Sequence, residues 1–124
     1  MHKITGHYIW IIGASSGIGA ALAAELAKRG AHVAISARRG DKLQEVLAGL
    51  EGAGHIAVPL DVADVESVGA AQAQILEQFP RLDRTVFLPA IFTPHDGHKK
   101  PLSFIRAAVD VNFMGAFNML EHLL

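Results

Sequence analysis

Gly13-Ala14-Ser15-Ser16-Gly17-Ile18-Gly19 is the stretch on which the fold of this chain turns. Before it, His7-Tyr8-Ile9-Trp10-Ile11-Ile12 is short, β-branched and aromatic, and apolar at successive positions, which predicts a strand buried on both sides in a parallel sheet. After it, Ile18, Leu22 and Leu26 recur every fourth residue with Ala21 beside them, the pattern of one buried helix face. The unit is strand, tight turn, helix. Glycine in such a turn reaches backbone angles closed to other residues and lets the main chain approach a ligand that a Cβ would hold off. The first N–H groups of the helix then lack intrahelical partners, and the helix dipole favours an anion above them. A pyrophosphate suits that place.

The flanking sequence repeats the alternation. Lys28-Arg29-Gly30 ends the first helix, and Ala31 to Ser36 predicts a second strand followed by an Ala37-Arg38-Arg39-Gly40 loop. Asp41 is placed to cap a second helix, with Gln44 three residues on and Leu43, Val46, Leu47 and Leu50 along its buried side. His55 to Leu60 predicts a third strand and Asp61-Val62-Ala63-Asp64 its exit loop. Asp64 caps a third helix striped by Val65, Val68, Ile75, Leu76 and Phe79, and Pro80 closes it. Arg84 to Leu88 predicts a fourth strand, and Pro89 to Pro101 a long loop. Pro101 to Leu124 reads as largely helical, with Phe113, Phe117, Leu120 and Leu124 on one face and Met114 and Met119 on others. Four such alternations with short connections predict an α/β chain: a Rossmann-like doubly wound parallel sheet of order 3-2-1-4, helices on both faces. Glu121-His122-Leu123-Leu124 has no capping glycine, and the fourth strand is left as an apolar edge. The sheet therefore reads as incomplete, lacking a second half or covered by a partner subunit.

Composition narrows the class. The 124 residues are 51% hydrophobic, enough for one domain with a real core. Eleven basic against 12 acidic residues leave no strong field, which argues against nucleic acid or a membrane surface as the partner. Cysteine is absent, so disulfides and thiolate sites are excluded and a cytoplasmic location is expected. The first residues, Met1-His2-Lys3-Ile4-Thr5-Gly6, do not form a signal peptide, and no apolar run reaches membrane-spanning length.

With these residues in place, the chain resembles the short-chain dehydrogenase/reductases over essentially its whole length, as the N-terminal half of that fold. The loop Gly13, Ser15, Ser16, Gly17, Ile18, Gly19 looks like the family's nucleotide loop, with glycine, three residues, glycine, one residue, glycine. Asp61-Val62 is similar to the family's pair whose carboxylate accepts from the adenine amino group while the next residue packs near the ring. Val111-Asn112-Phe113 with Gly115 looks like the helix whose asparagine, here Asn112, belongs to the catalytic proton relay. Residues 1–124 then form one Rossmann-type NAD(P)-binding domain, truncated before the catalytic segment.

The resemblance implies a dinucleotide cofactor. NADP is favoured over NAD because Ala37 stands where an acid would accept the ribose hydroxyls, and Arg38 and Arg39 follow it. The implied activity of a complete form is hydride transfer between nicotinamide and a small carbonyl or alcohol. Several positions depart from the family. Ile12 replaces a threonine that would bond toward the fourth strand. Leu88-Pro89-Ala90 replaces an Asn-Ala-Gly segment beside the cofactor ribose, with Ala90 at the approach itself. The family's serine, tyrosine and lysine are missing: Tyr8 is the only tyrosine, and Ile12 follows it by four. The chain as given is therefore expected to bind rather than catalyse, with a non-catalytic nucleotide-binding or self-associating module as the alternative. His95-Asp96-Gly97-His98 reads as a polar loop tip rather than a metal site, because glycine breaks any helix there. The last helix, apolar around most of its girth, is either core or the surface of a homo-oligomer.

Overall fold

A computed structural model describes residues 3–89 and 100–123 of the protein. Four strands form its centre: Tyr8–Ile12 (β1), His32–Ser36 (β2), Ile56–Ala57 (β3) and Arg84–Phe87 (β4). All pair in parallel, in the order β3-β2-β1-β4. Tyr8 lies opposite His32 and Ile12 opposite Ser36, while on the other side Ile9 to Ile12 face Arg84 to Phe87. The helices are Gly17–Lys28 (α1), Gly40–Ala48 (α2), Val65–Gln78 (α3), Leu102–Val109 (α4) and Gly115–Leu123 (α5). The expected sheet order and layering are those observed.

The unbroken apolar run of β1 has its reason in the two cores. Trp10 and Ile12 point to one side, among Val68, Ala71 and Ile75 of α3 and Met119 of α5. Ile9 and Ile11 point to the other, against Ala23 and Ala27 of α1 and Leu43 of α2. A strand with a helix layer on each face has no solvent side on which to place a polar residue. Ile12, where a threonine was expected, is buried in the first core, and its carbonyl still accepts a bond from the N–H of Leu88 at 2.9 Å.

Several sequence expectations need correction. The face of α1 that meets the sheet is Gly19, Ala23 and Ala27, because small residues let the helix lie close. Leu22 and Leu26 flank that contact, Ala21 is exposed, and Ile18 is 79% exposed. Asp41 does not cap α2: the helix begins at Gly40 with Arg39 as its cap, and Asp41 sits in the first turn, where its charge still favours the dipole. Asp64 does cap α3, its carboxylate accepting from the N–H of Glu66 at 3.1 Å. Leu76 lies on the exposed side of α3 rather than in its buried stripe.

The third strand is two residues long, although Val58 and Leu60 continue to donate to Ile35 and Ala37. Pro59 between them falls where the N–H would turn to the outer edge of the sheet, so its missing donor costs no bond to β2. The C-terminal segment is likewise not one helix, because a π-helical turn at Asp110–Met114 separates α4 from α5. Val111, Gly115 and Met119 face inward, whereas Phe113, Phe117 and Leu120 are about half exposed. The apolar stripe read from the sequence is thus the outward one. Among the described residues, no helix is long and apolar enough to cross a membrane.

Candidate functional site

A cleft of about 430 Å³ opens at the C-terminal ends of β1, β2 and β4. In an open parallel sheet this is where the chain leaves each strand and where β1 parts from its two neighbours' crossovers, so the turns there can face a ligand. The glycine turn forms its floor. On leaving β1 the chain donates from Gly13 and Ala14 to the carbonyl of Ser36, at 2.7 and 3.2 Å, which pins the turn to the end of β2. Ser36 is itself fully buried, and its hydroxyl accepts from the indole N–H of Trp10 at 2.8 Å.

The glycines answer to space as well as angle. Gly13 has φ +91, and a Cβ there would meet Pro89 N at 2.9 Å. A Cβ on Gly19 would strike the carbonyl oxygen of Gly13. Gly17 has φ +58, with open space where a side chain would stand. The cap residue of α1, Ser16, makes no side-chain bond to the helix, and no acidic residue occupies the first turn. The helix end therefore offers N–H groups and positive potential to an anion, and the missing Cβ atoms leave room for it. These residues fit a dinucleotide pyrophosphate.

At the β2 side the cleft is bounded by Ala37, Arg38 and Arg39. Arg39 approaches Asp41 at 3.9 Å, with both side chains largely exposed, whereas Arg38 has no ion pair among the described residues. Opposite, Leu60, Val62 and Val111 form an apolar wall. The loop carrying that wall is held by its own side chains. Asp61 accepts from the N–H of Ala63 at 3.0 Å, and the Asp61 N–H donates to the Ser67 hydroxyl at 3.1 Å.

Of the residues singled out in the sequence, Gly13, Ser15, Ser16, Ile18, Gly19, Arg38, Arg39 and Val62 line this cleft together. Gly17 and Asp61 sit beside it in the chain without lining it. Asn112 is exposed on the π-helical turn, one residue from Val111. Ala90 and His95-Asp96-Gly97-His98 lie outside the described residues. Among those described, no group of three or more acidic or histidine side chains is placed to hold a metal. Sequence reasoning missed Leu60, Val111 and Asn118. The first two are apolar residues indistinguishable from core by type. Asn118 donates from its amide to the carbonyl of Val62 at 2.9 Å, a contact across 56 residues that no local pattern announces.

Tyr8 is at the opposite end of β1 from the cleft, stacked on His32 and covered by Phe79 and the Arg81 guanidinium. Nearby, Asp83 is held below the usual carboxylate range by its bond from the Arg81 side chain and by the Tyr8 N–H, which donates to it at 2.8 Å.

The family model described as short chain dehydrogenase matches residues 7–124. The chain belongs to the short-chain dehydrogenase/reductase family. It is an oxidoreductase family whose members bind NAD(P)(H). Among curated members of the family, the chain is 35% identical over 118 residues to a 3-dehydrosphinganine reductase of Arabidopsis thaliana, covering 95% of this chain and 36% of that protein. Among solved short-chain dehydrogenase/reductase structures it superposes on a 3-ketoacyl-(acyl-carrier-protein) reductase of Brucella melitensis complexed with NADH. There the TM-score is 0.89 at 28% identity, over 98% of this chain and 50% of the other. A variant of actinorhodin polyketide ketoreductase with NADPH gives 0.88 at 25% identity, over 96% and 46%. The chain thus spans about a third to a half of the length of these relatives.

Proposed function

We propose that the chain is the NADP(H)-binding portion of a short-chain dehydrogenase/reductase whose complete form moves a hydride between nicotinamide and a small carbonyl or alcohol. The observation that carries this reading is the pairing of an open glycine cradle with Arg38 at the end of β2, which makes no ion pair among the described residues and follows Ala37, which supplies no carboxylate. Gly13, Ser15, Ser16, Gly17, Ile18 and Gly19 hold the pyrophosphate by main-chain N–H groups and the α1 dipole. Arg38, with Arg39 beside it, pairs with the 2′-phosphate through charge-assisted bonds that neither alanine nor an acid could make. Asp61 and Val62 receive the adenine. The bound nicotinamide supplies the hydride chemistry.

Asn112 is assigned to the proton relay by position. The chain alone is expected to be inactive in carbonyl reduction, since its sole tyrosine is at the far end of β1 and no other side chain described here offers a proton at the cleft in that role. Clear NADPH-dependent turnover by the purified chain would overturn this. A cytoplasmic setting fits a chain without cysteine.

The cofactor reading is tested by thermal unfolding with NADPH and NADH at millimolar concentration. A larger rise in Tm with NADPH is expected, and no rise with either refutes nucleotide binding. A second reading, a self-associating module, is favoured by the outward apolar face of Phe113, Phe117 and Leu120, which are 59%, 53% and 46% exposed. We place a homo-oligomer contact there. A monomer by light scattering at micromolar and higher concentrations would remove it.

A further inference from the structure

Val62 is gripped from one side by two neighbours on α5. Gly115 and Asn118 stand three residues apart, and so on the same face of the helix. At Gly115 the missing side chain is what lets Val62 in: a Cβ there would come within 2.9 Å of Val62 Cγ2 and 3.2 Å of its Cβ. Valine is branched at Cβ and has no flexible end with which to yield. At Asn118 the side-chain amide donates to the Val62 carbonyl at 2.9 Å. Val62 itself is 5% exposed and lines the cleft beside Asp61. Its carbonyl belongs to a loop rather than to the sheet ladder, and Asn118 satisfies it.

We propose that Gly115 and Asn118 are positioning residues for the nucleotide site, fixing Val62, and with it Asp61, at the distance from the cleft that lets the loop read the edge of an adenine ring. This rests on the nucleotide reading above and adds to it a determinant of base choice outside the cleft. The Ala63 N–H bond to Asp61 fixes the loop's internal shape, and the Asp61 N–H bond to Ser67 ties it to α3. The α5 pair adds a tie at Val62 itself, made from outside the cleft. A loop free to shift would still pack against a purine but would lose the register between the Asp61 carboxylate and the ring's exocyclic amino group.

The test compares reduced NADP with its hypoxanthine analogue, which lacks that amino group, by isothermal titration on the wild-type chain, Asn118→Leu and Gly115→Ala. Asn118→Leu keeps the volume and removes the donor; Gly115→Ala pushes Val62 from the same side. Both folded variants are expected to bind NADPH about five- to tenfold more weakly, the scale of one lost hydrogen bond, with little change for the analogue. A helix that merely needs Asn118 for stability would lose Tm and leave the ratio between the two dinucleotides intact, and an unchanged ratio overturns the proposal.

A wild-type measurement stands independently of whether the variants fold. The Asn118 side-chain amide resonance should move on adding adenosine 2′,5′-bisphosphate and stay in place with inorganic pyrophosphate; an unmoved signal with the nucleotide counts against the proposal. Failure of the wild-type chain to bind either dinucleotide would instead sink the nucleotide reading, and this one with it.

Discussion

Trp10→Phe tests the link between the buried sheet and the glycine turn. The Trp10 indole N–H and the Ser36 hydroxyl are 2.8 Å apart and both side chains are fully buried, with no solvent to replace either partner. Phenylalanine removes the donor and leaves the hydroxyl unpaired in apolar surroundings, at a cost of about 1–3 kcal/mol. The smaller ring also leaves a gap in the core shared by α3 and α5, worth about 1 kcal/mol at roughly 24 cal/mol per Å³ of unfilled volume. With an unfolding entropy of about 2.1 cal/mol/K per residue, the combined loss lowers Tm by about 8–15 °C. Ser36→Ala alone should cost about as much as the hydrogen-bond part, because it strands the indole N–H instead.

The double variant strands neither group. Its loss should therefore fall well short of the sum of the single ones, by about 1–2 kcal/mol of coupling. Thermal unfolding followed by far-ultraviolet circular dichroism reads all four proteins. Strict additivity, or a fall in Tm of less than about 2 °C for Trp10→Phe, would refute the reasoning. Because the Ser36 carbonyl holds Gly13 and Ala14, weaker NADPH binding should accompany the loss in Trp10→Phe.

Three further outcomes follow from single contacts. Asp83 is held below its ordinary value first by Arg81 and then by the Tyr8 N–H, so its contribution to stability is complete above the usual carboxylate range and is lost as pH falls through the depressed value. Asp83→Asn should accordingly lower Tm at neutral pH, with the gap from wild type closing in strong acid; a gap independent of pH would contradict this. Asp64→Ala removes the cap of α3 and should cost about 1 kcal/mol, or about 4 °C, in the same unfolding experiment. Arg38→Ala should weaken NADPH binding about tenfold or more and leave NADH binding within about twofold, as titration of each would show. Equal effects on both would mean that Arg38 is not a 2′-phosphate ligand.

The architecture was legible because the chain's strongest signals are local. An apolar run buried on both faces, a glycine turn and an alanine-rich helix specify one crossover unit, and the next two units repeat it. Where the reading failed, packing overrode pattern. Ile18 kept the helical spacing but stands at the cleft rim, because the closest approach to the sheet goes to Gly19, Ala23 and Ala27. The periodicity of residues 101–124 could not reveal the π-helical turn, which separates α5 from α4 without any proline or glycine pair to mark it. The glycine floor of the cleft was readable, since glycine in a strand-to-helix turn answers to backbone angle and to close approach at once. Its apolar wall was not, for Leu60 and Val111 look like any core residue until the loops are seen to converge. Asn118 was hidden for a different reason: its partner is a main-chain carbonyl, which has no sequence identity at all.

A parallel sheet also dictates the order in which this site can come into being. No strand pairs with the one beside it through a tight hairpin, so every contact waits for a crossover to be completed. The Trp10 to Ser36 bond spans 26 residues, and with Arg38 just beyond it the glycine-turn end of the cleft is encoded within roughly the first third of the chain. The β1–β4 side waits far longer, its Tyr8 and Asp83 contact closing over 75 residues, and the clamp on Val62 must await α5. During synthesis the glycine turn can thus be built first and the apolar wall last. On the proposed nucleotide reading, folding intermediates should hold pyrophosphate before they can tell one purine from another.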